Sequence, residues 1–160
     1  IDQQSNNLKV KTNNSQLLLE RKAVITSGSL LSLNAYNKIG PYREDFFIDS
    51  VDYEYCLRAG QKGYKVYLVN KPLLTHPLGE STVHHFLGVK LFKIISRNYP
   101  PYRWYFISRN NFRIACEYLF KEPAWVFIRI ALLLKAFFII VLFEKQKWMK
   151  TKYIILLFLF

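Results

Sequence analysis

The chain has 160 residues, about one domain's worth, and its 51% hydrophobic composition excludes a disordered polypeptide and supplies material for a core. Its net charge of +12 is uneven: residues 1 to 80 hold 10 basic and 8 acidic side chains, whereas residues 81 to 160 hold 13 and 3. Cys56 and Cys116, with no C-x-x-C pair, argue against a disulfide scaffold or a structural zinc site and suit a reduced compartment, and no secretory signal pattern opens the sequence, so the protein is expected to stay inside the cell.

In chain order, residues 1 to 16 are polar and without apolar period, which predicts a loop. The start on Ile1 rather than a methionine leads us to expect a piece of a longer protein. Residues 17 to 31 read as strand, tight backbone, strand, with Ser27 and Gly28 in the gap, where a small-residue break either admits a ligand or marks a simple bend. Ser32 caps a short helix whose Leu33, Tyr36 and Ile39 repeat at helical spacing until Gly40 and Pro41 stop it.

FFID, residues 46 to 49, reads as a short buried strand, after which Asp49 or Ser50 caps a helix over 51 to 59 with Val51, Tyr55 and Ala59 on its packed face. Glu54 and Arg58 form an i,i+4 pair, worth only about 0.2 to 0.5 kcal/mol if exposed. Gly60 and Gly63 end that helix, and residues 64 to 69 alternate as a strand. A loop from Pro72 then carries His76, His84 and His85. Residues 86 to 97 and 101 to 121 read as helices split by Pro100 and Pro101.

From Ala124 to Phe143 the chain is apolar apart from Arg129 and Lys135, which interrupt a stretch of about 20 residues that would otherwise span a bilayer. Lys145, Lys147, Lys150 and Lys152 follow beside Trp148 and Tyr153, then an apolar run to Phe160. Bases among interfacial aromatics point to an anionic membrane surface, and a helical subdomain lacking its partner surface is the other reading. No nucleic-acid-binding motif is present, and the basic residues lie among long apolar runs, so nucleic acid is not an expected partner.

Asp49, Asp52 and Glu54 gather acid in this basic chain, and Asp52 lacks the ready structural explanation that the pair gives Glu54. It falls in the first turn of its helix, where backbone N–H groups favour a carboxylate, and it serves either as a general base or only to stabilise the helix start.

TSGSLLS, IGPYREDFFIDSVDYEYCLRAGQKGYKVYLV and LTHPLGE, in that order over about residues 24 to 114, resemble the second half of the catalytic domain of family-2 glycosyltransferases, most closely the bacterial rhamnosyltransferase-like members. The resemblance implies an α/β fold, with 1–80 as the C-terminal half of a GT-A, Rossmann-like domain, and the charge and apolar patterning add a basic helical extension over 81–122 and a membrane-associated segment over 123–160. It implies inverting transfer of a sugar, rhamnose by this likeness, from a nucleotide-sugar donor to a glycan or lipid-linked acceptor at the cytoplasmic face of the inner or plasma membrane. Asp52 would be the catalytic base, in the segment Asp49-Ser50-Val51-Asp52 through Arg58. Ser27, Gly28, Asp49, Arg58, Arg103 and Arg109 would bind substrate, the last two through diphosphate or lipid phosphate unless they form a solvated basic face.

His76 in LTHPLGE matches a metal-binding histidine of the family, so a divalent Mg or Mn is implied, completed by an aspartate-x-aspartate element that this sequence lacks. That element belongs to the nucleotide-binding half, which we expect to precede this piece; alone, the fragment would be inactive. His84 and His85 match no family position and read as polar loop residues. A non-catalytic, basic membrane-binding module built on residues 121 to 160 is the alternative function.

Overall fold

The structure, a computed structural model, describes residues 17–72, 81–85 and 93–156. Among them the chain is mixed α/β and mostly helical, with two small antiparallel sheets of two strands each. The elements are β1 (Leu18–Arg21), α1 (Leu33–Ile39), a 3-10 turn (Glu44–Phe46), α2 (Val51–Gln61), β2 (Val66–Val69), β3 (Thr82–His85), β4 (Lys93–Ser96), α3 (Pro101–Tyr118), α4 (Pro123–Phe143) and α5 (Lys147–Ile155). Contacts gather them into two units: residues 17–44 with 51–72, and residues 45–50 with 81–85 and 93–156.

In the first unit β1 pairs with β2, Leu18 opposite Val69 and Arg21 opposite Val66, so the sheet closes around α1 and α2 in sequence. Ser32 caps α1 as expected, its Oγ accepting from the Ala35 backbone N–H. Gly40 ends α1 at φ 96°, a backbone angle that side chains resist. Ile39, Tyr55 and Ala59 form the packed core, with Tyr36, Tyr42 and Tyr64 against it.

The expected pair between Glu54 and Arg58 is present but is not a surface pair. Glu54 is 2% exposed, and Arg58 grips both its oxygens at 2.9 and 3.0 Å while donating to the carbonyls of Ile39 and Pro41. One guanidinium thus ties α2 to the end of α1, where carbonyls lack helical partners.

The second unit is built around α3, which packs on α4 and α5, with β4 against α4. Pro101 stands at the first position of α3, where a missing N–H costs nothing. The hairpin β3–β4 sets Val83 opposite Ile95. Lys150, expected among the membrane-facing bases, instead turns inward and meets buried Glu144 at 2.7 Å.

Several expectations are corrected. FFID forms no strand: it is the end of the 3-10 turn and an irregular segment with Phe47 and Asp49 at positive φ. The second strand expected after Gly28 does not form, since residues 26 to 29 turn and Leu30 and Leu31 are exposed. Within 86 to 97, Lys93–Ser96 is a strand rather than a helix, and the backbone of His84 and His85 lies in β3 rather than a loop. Pairing with β3 decided the case; Ile94 and Ile95, β-branched, suit it. The loop expected over 1 to 16, and His76, lie outside the described residues.

Replacing Arg58 by Ala is expected to destabilise the fold by about 3 to 5 kcal/mol in urea unfolding, because buried Glu54 loses the guanidinium that grips both its oxygens. Lys65→Ala, which removes the exposed partner of Glu20, should leave the same transition almost unmoved.

Candidate functional site

Asp52 occupies the first turn of α2 and is half-buried. Its Oδ1 accepts from the Tyr53 N–H at 2.9 Å, which fixes the carboxylate against its own helix start. Burial, then the charge of Asp52, pushes the Cys56 thiol up, and its Sγ donates to the Val24 carbonyl. Tyr42 is likewise pushed up by burial first, then by Cys56 and Asp52. Asp52 therefore lies near the Tyr42 and Cys56 side of this unit, with the Tyr42 ring stacked on Tyr55 at 4.2 Å.

Residues 45 to 50, which lead directly into α2, belong to the other unit and are held by one stripe of α3. Phe47, Asp49 and Ser50 adopt φ of 57°, 63° and 63°. Left-handed backbone in residues other than glycine costs roughly 1 to 3 kcal/mol each and persists only where its surroundings over-determine it. The surroundings here are specific. Asn110, fully buried, donates from its single Nδ2 to the carbonyls of Phe46, Ile48 and Asp49 at 2.9, 2.9 and 2.8 Å.

Around that amide the rest of the stripe closes. Arg103 grips both oxygens of Asp49 at 2.8 and 3.0 Å, and its guanidinium lies over the Tyr99 ring. Arg109 donates to the Asp45 carbonyl at 2.6 Å and to Asn110 Oδ1, which orients the amide. Arg113 pairs with the Asp45 carboxylate, and the Phe47 ring sits 5.1 Å from that of Phe106. Asn111 donates to Ser50 Oγ and to the Ile107 carbonyl, while its Oδ1 accepts from Arg129 of α4.

Of the residues expected in a site, Asp49 and Arg103 are thus brought together, Arg109 acts on the same segment, and Asp52 shares α2 with Arg58. Arg58 is engaged by Glu54 and two carbonyls. Ser27 and Gly28 lie in an exposed turn where Ser29 donates from both N and Oγ to the Thr26 carbonyl, Gly28 at φ 71°. Among the described residues no three His, Cys, Asp or Glu side chains group to hold a metal ion, and His76 is outside them. Sequence reasoning missed Asn110 and Asn111 as functional groups. The available signal was two adjacent asparagines, poor helix formers, in the middle of an amphipathic helix.

The chain is similar to part of a rhamnosyl transferase. It is 31% identical over 107 residues to dTDP-rhamnosyl transferase RfbF of Shigella flexneri, the match taking in 65% of this chain and 33% of that protein. The chain therefore spans about a third of that relative's length. No family model matches the chain. No solved structure matches it.

Asn110→Ala is expected to lower stability by at least about 2 kcal/mol, since the carbonyls of Ile48 and Asp49 lose this donor and that of Phe46 keeps only the Ile48 N–H among the bonds described. Limited proteolysis should then cut first within residues 45 to 50. Unchanged stability and an uncut segment would show that Asn110 does not hold it.

Proposed function

We propose that this chain is part of an inverting, rhamnosyltransferase-like glycosyltransferase of family 2 and GT-A type, with Asp52 as its general base. The similarity to a rhamnosyl transferase carries this reading, and the resemblance of Asp49-Ser50-Val51-Asp52 through Arg58 to the family's base motif supports Asp52. The donor is a nucleotide-activated sugar, dTDP-rhamnose by the relative's name, and the acceptor a hydroxyl of a glycan, free or lipid-linked. The reaction belongs at the cytoplasmic face of a membrane, where such a donor and a lipid-linked acceptor meet.

In this reading the Asp52 carboxylate takes the proton of the acceptor hydroxyl as its oxygen forms the new bond to the anomeric carbon. The bond from that carbon to the diphosphate oxygen breaks, and the nucleoside diphosphate leaves with the electron pair. One positioned carboxylate serves this displacement, in contrast to the paired carboxylates of glycoside hydrolysis. The Tyr53 N–H on Oδ1 supports the role by fixing the carboxylate. Arg103 and Arg109 take part by shaping the segment next to Asp52 in sequence.

The divalent metal expected with this reading would need His76 together with an aspartate pair that the sequence lacks, and the described residues form no ligand group for it. No step of the transfer is assigned to it.

In the full-length protein, Asp52→Asn is expected to reduce rhamnosyl transfer by about 100- to 10,000-fold while dTDP-rhamnose binding, measured by calorimetry, stays near wild type. Transfer within a few-fold of wild type would remove Asp52 from the base role.

A further inference from the structure

Helix α4 presents its sides in the reverse of the usual order for a water-soluble helix. Phe127, Ile130, Leu134, Phe138, Val141 and Leu142 are all exposed and, at spacings of three, four and seven, share one side of the helix. On the opposite side Val126 and Ile140 are buried, and there Arg129 donates its Nε to Asn111 of α3 at 3.1 Å, its guanidinium lying near the Trp125 ring. Arg129 thus faces protein and the hydrocarbon faces out, with exposed Lys135 at the edge of the outward side, where its long stem lets the ammonium reach the headgroups. Water is a poor medium for such a face, which covers four turns of helix.

Both ends of the helix carry the groups that suit a lipid headgroup layer. Phe120 and Lys121 are exposed just before α4, and exposed Lys145, Lys147, Trp148 and Lys152 follow it. Trp148 is 84% exposed. Lysines attract anionic headgroups, while tryptophan and phenylalanine insert at the boundary between headgroups and acyl chains.

We propose that α4 is an in-plane anchor: it lies along the surface of an anionic bilayer with the Phe127, Leu134 and Phe138 side in the acyl boundary and Arg129 turned away from lipid. The helix is 21 residues long and apolar enough to cross a bilayer. Crossing would nevertheless strip it from α3 and α5 and carry Arg129 into hydrocarbon without Asn111, so the packed unit favours the surface orientation. The bond from Arg129 then has a second use beyond holding Asn111, because it keeps a charge off the lipid side. This anchor is independent of the catalytic reading, and either can fail without the other.

The test uses the full-length protein and vesicles of phosphatidylglycerol with phosphatidylethanolamine, against vesicles of phosphatidylcholine alone. Cosedimentation with the anionic vesicles is expected, weaker at high salt. Leu134→Asp with Phe138→Asp, both outward and so compatible with folding, should weaken it by at least about tenfold. Charge reversal by Lys145→Glu with Lys147→Glu, which leaves the apolar side intact, should also weaken it. Nitroxide labels on Phe127→Cys, Leu134→Cys and Leu142→Cys should report equal, shallow depths. A central residue much deeper than the two ends means a spanning helix and overturns the in-plane anchor. Absence of vesicle binding, or outward-face variants that change only the oligomeric state in light scattering, means that protein covers this face and also overturns it.

Discussion

A single side-chain amide, that of Asn110, determines the conformation of the segment that precedes α2. Its Nδ2 reaches three carbonyls within four residues of backbone, those of Phe46, Ile48 and Asp49, from a position with no solvent exposure. Two protons cannot serve three acceptors equally, so the bonds are shared, and the carbonyls must crowd around the nitrogen. That crowding is compatible with the left-handed angles of Phe47, Asp49 and Ser50, which the backbone would not choose unaided. Arg109 completes the device by donating to Asn110 Oδ1, which leaves the amide only one useful orientation.

The basic charge of the chain is divided by residue type. Arg58, Arg103, Arg109, Arg113 and Arg129 each bond to protein carbonyls, carboxylates or amides. Lys121, Lys145, Lys147 and Lys152 are exposed. A planar guanidinium with five donors fixes geometry at several acceptors together, whereas an ammonium on a flexible stem keeps its hydration and suits diffuse attraction to phosphate. Three lysines depart from this division: Lys150 meets buried Glu144 at 2.7 Å, Lys62 donates to the carbonyls of Lys38 and Ile39, and Lys65 pairs with Glu20. The acids of residues 45 to 54 are likewise engaged, Asp45, Asp49 and Glu54 by arginines and Asp52 by a backbone N–H.

Helices α1, α2 and α3 were legible because each carries a periodic apolar face and a definite stop signal. FFID was not, because its aromatic and β-branched residues favour a strand locally and the groups that override this lie more than 60 positions away on α3. The hairpin β3–β4 was misread since a short apolar run gives no period that separates strand from helix, and its pairing is a property of two segments together. Arg129 was legible as an interruption of an apolar helix, but which side it faces depends on Asn111. Asp52 was reached through a motif, whereas Arg103 to Asn110 resembles a family segment in which only the arginines were given a role, and the parts of Asn110 and Asn111 depend on partners far away in sequence.

The conformation of residues 46 to 50 can be read directly by NMR on the full chain, from backbone shifts and the couplings between amide and α protons at Phe47, Asp49 and Ser50. Positive φ at all three, lost when Asn110 becomes Ala, is the predicted result. Extended, negative φ at these residues in the wild-type chain would contradict the role given to the Asn110 amide.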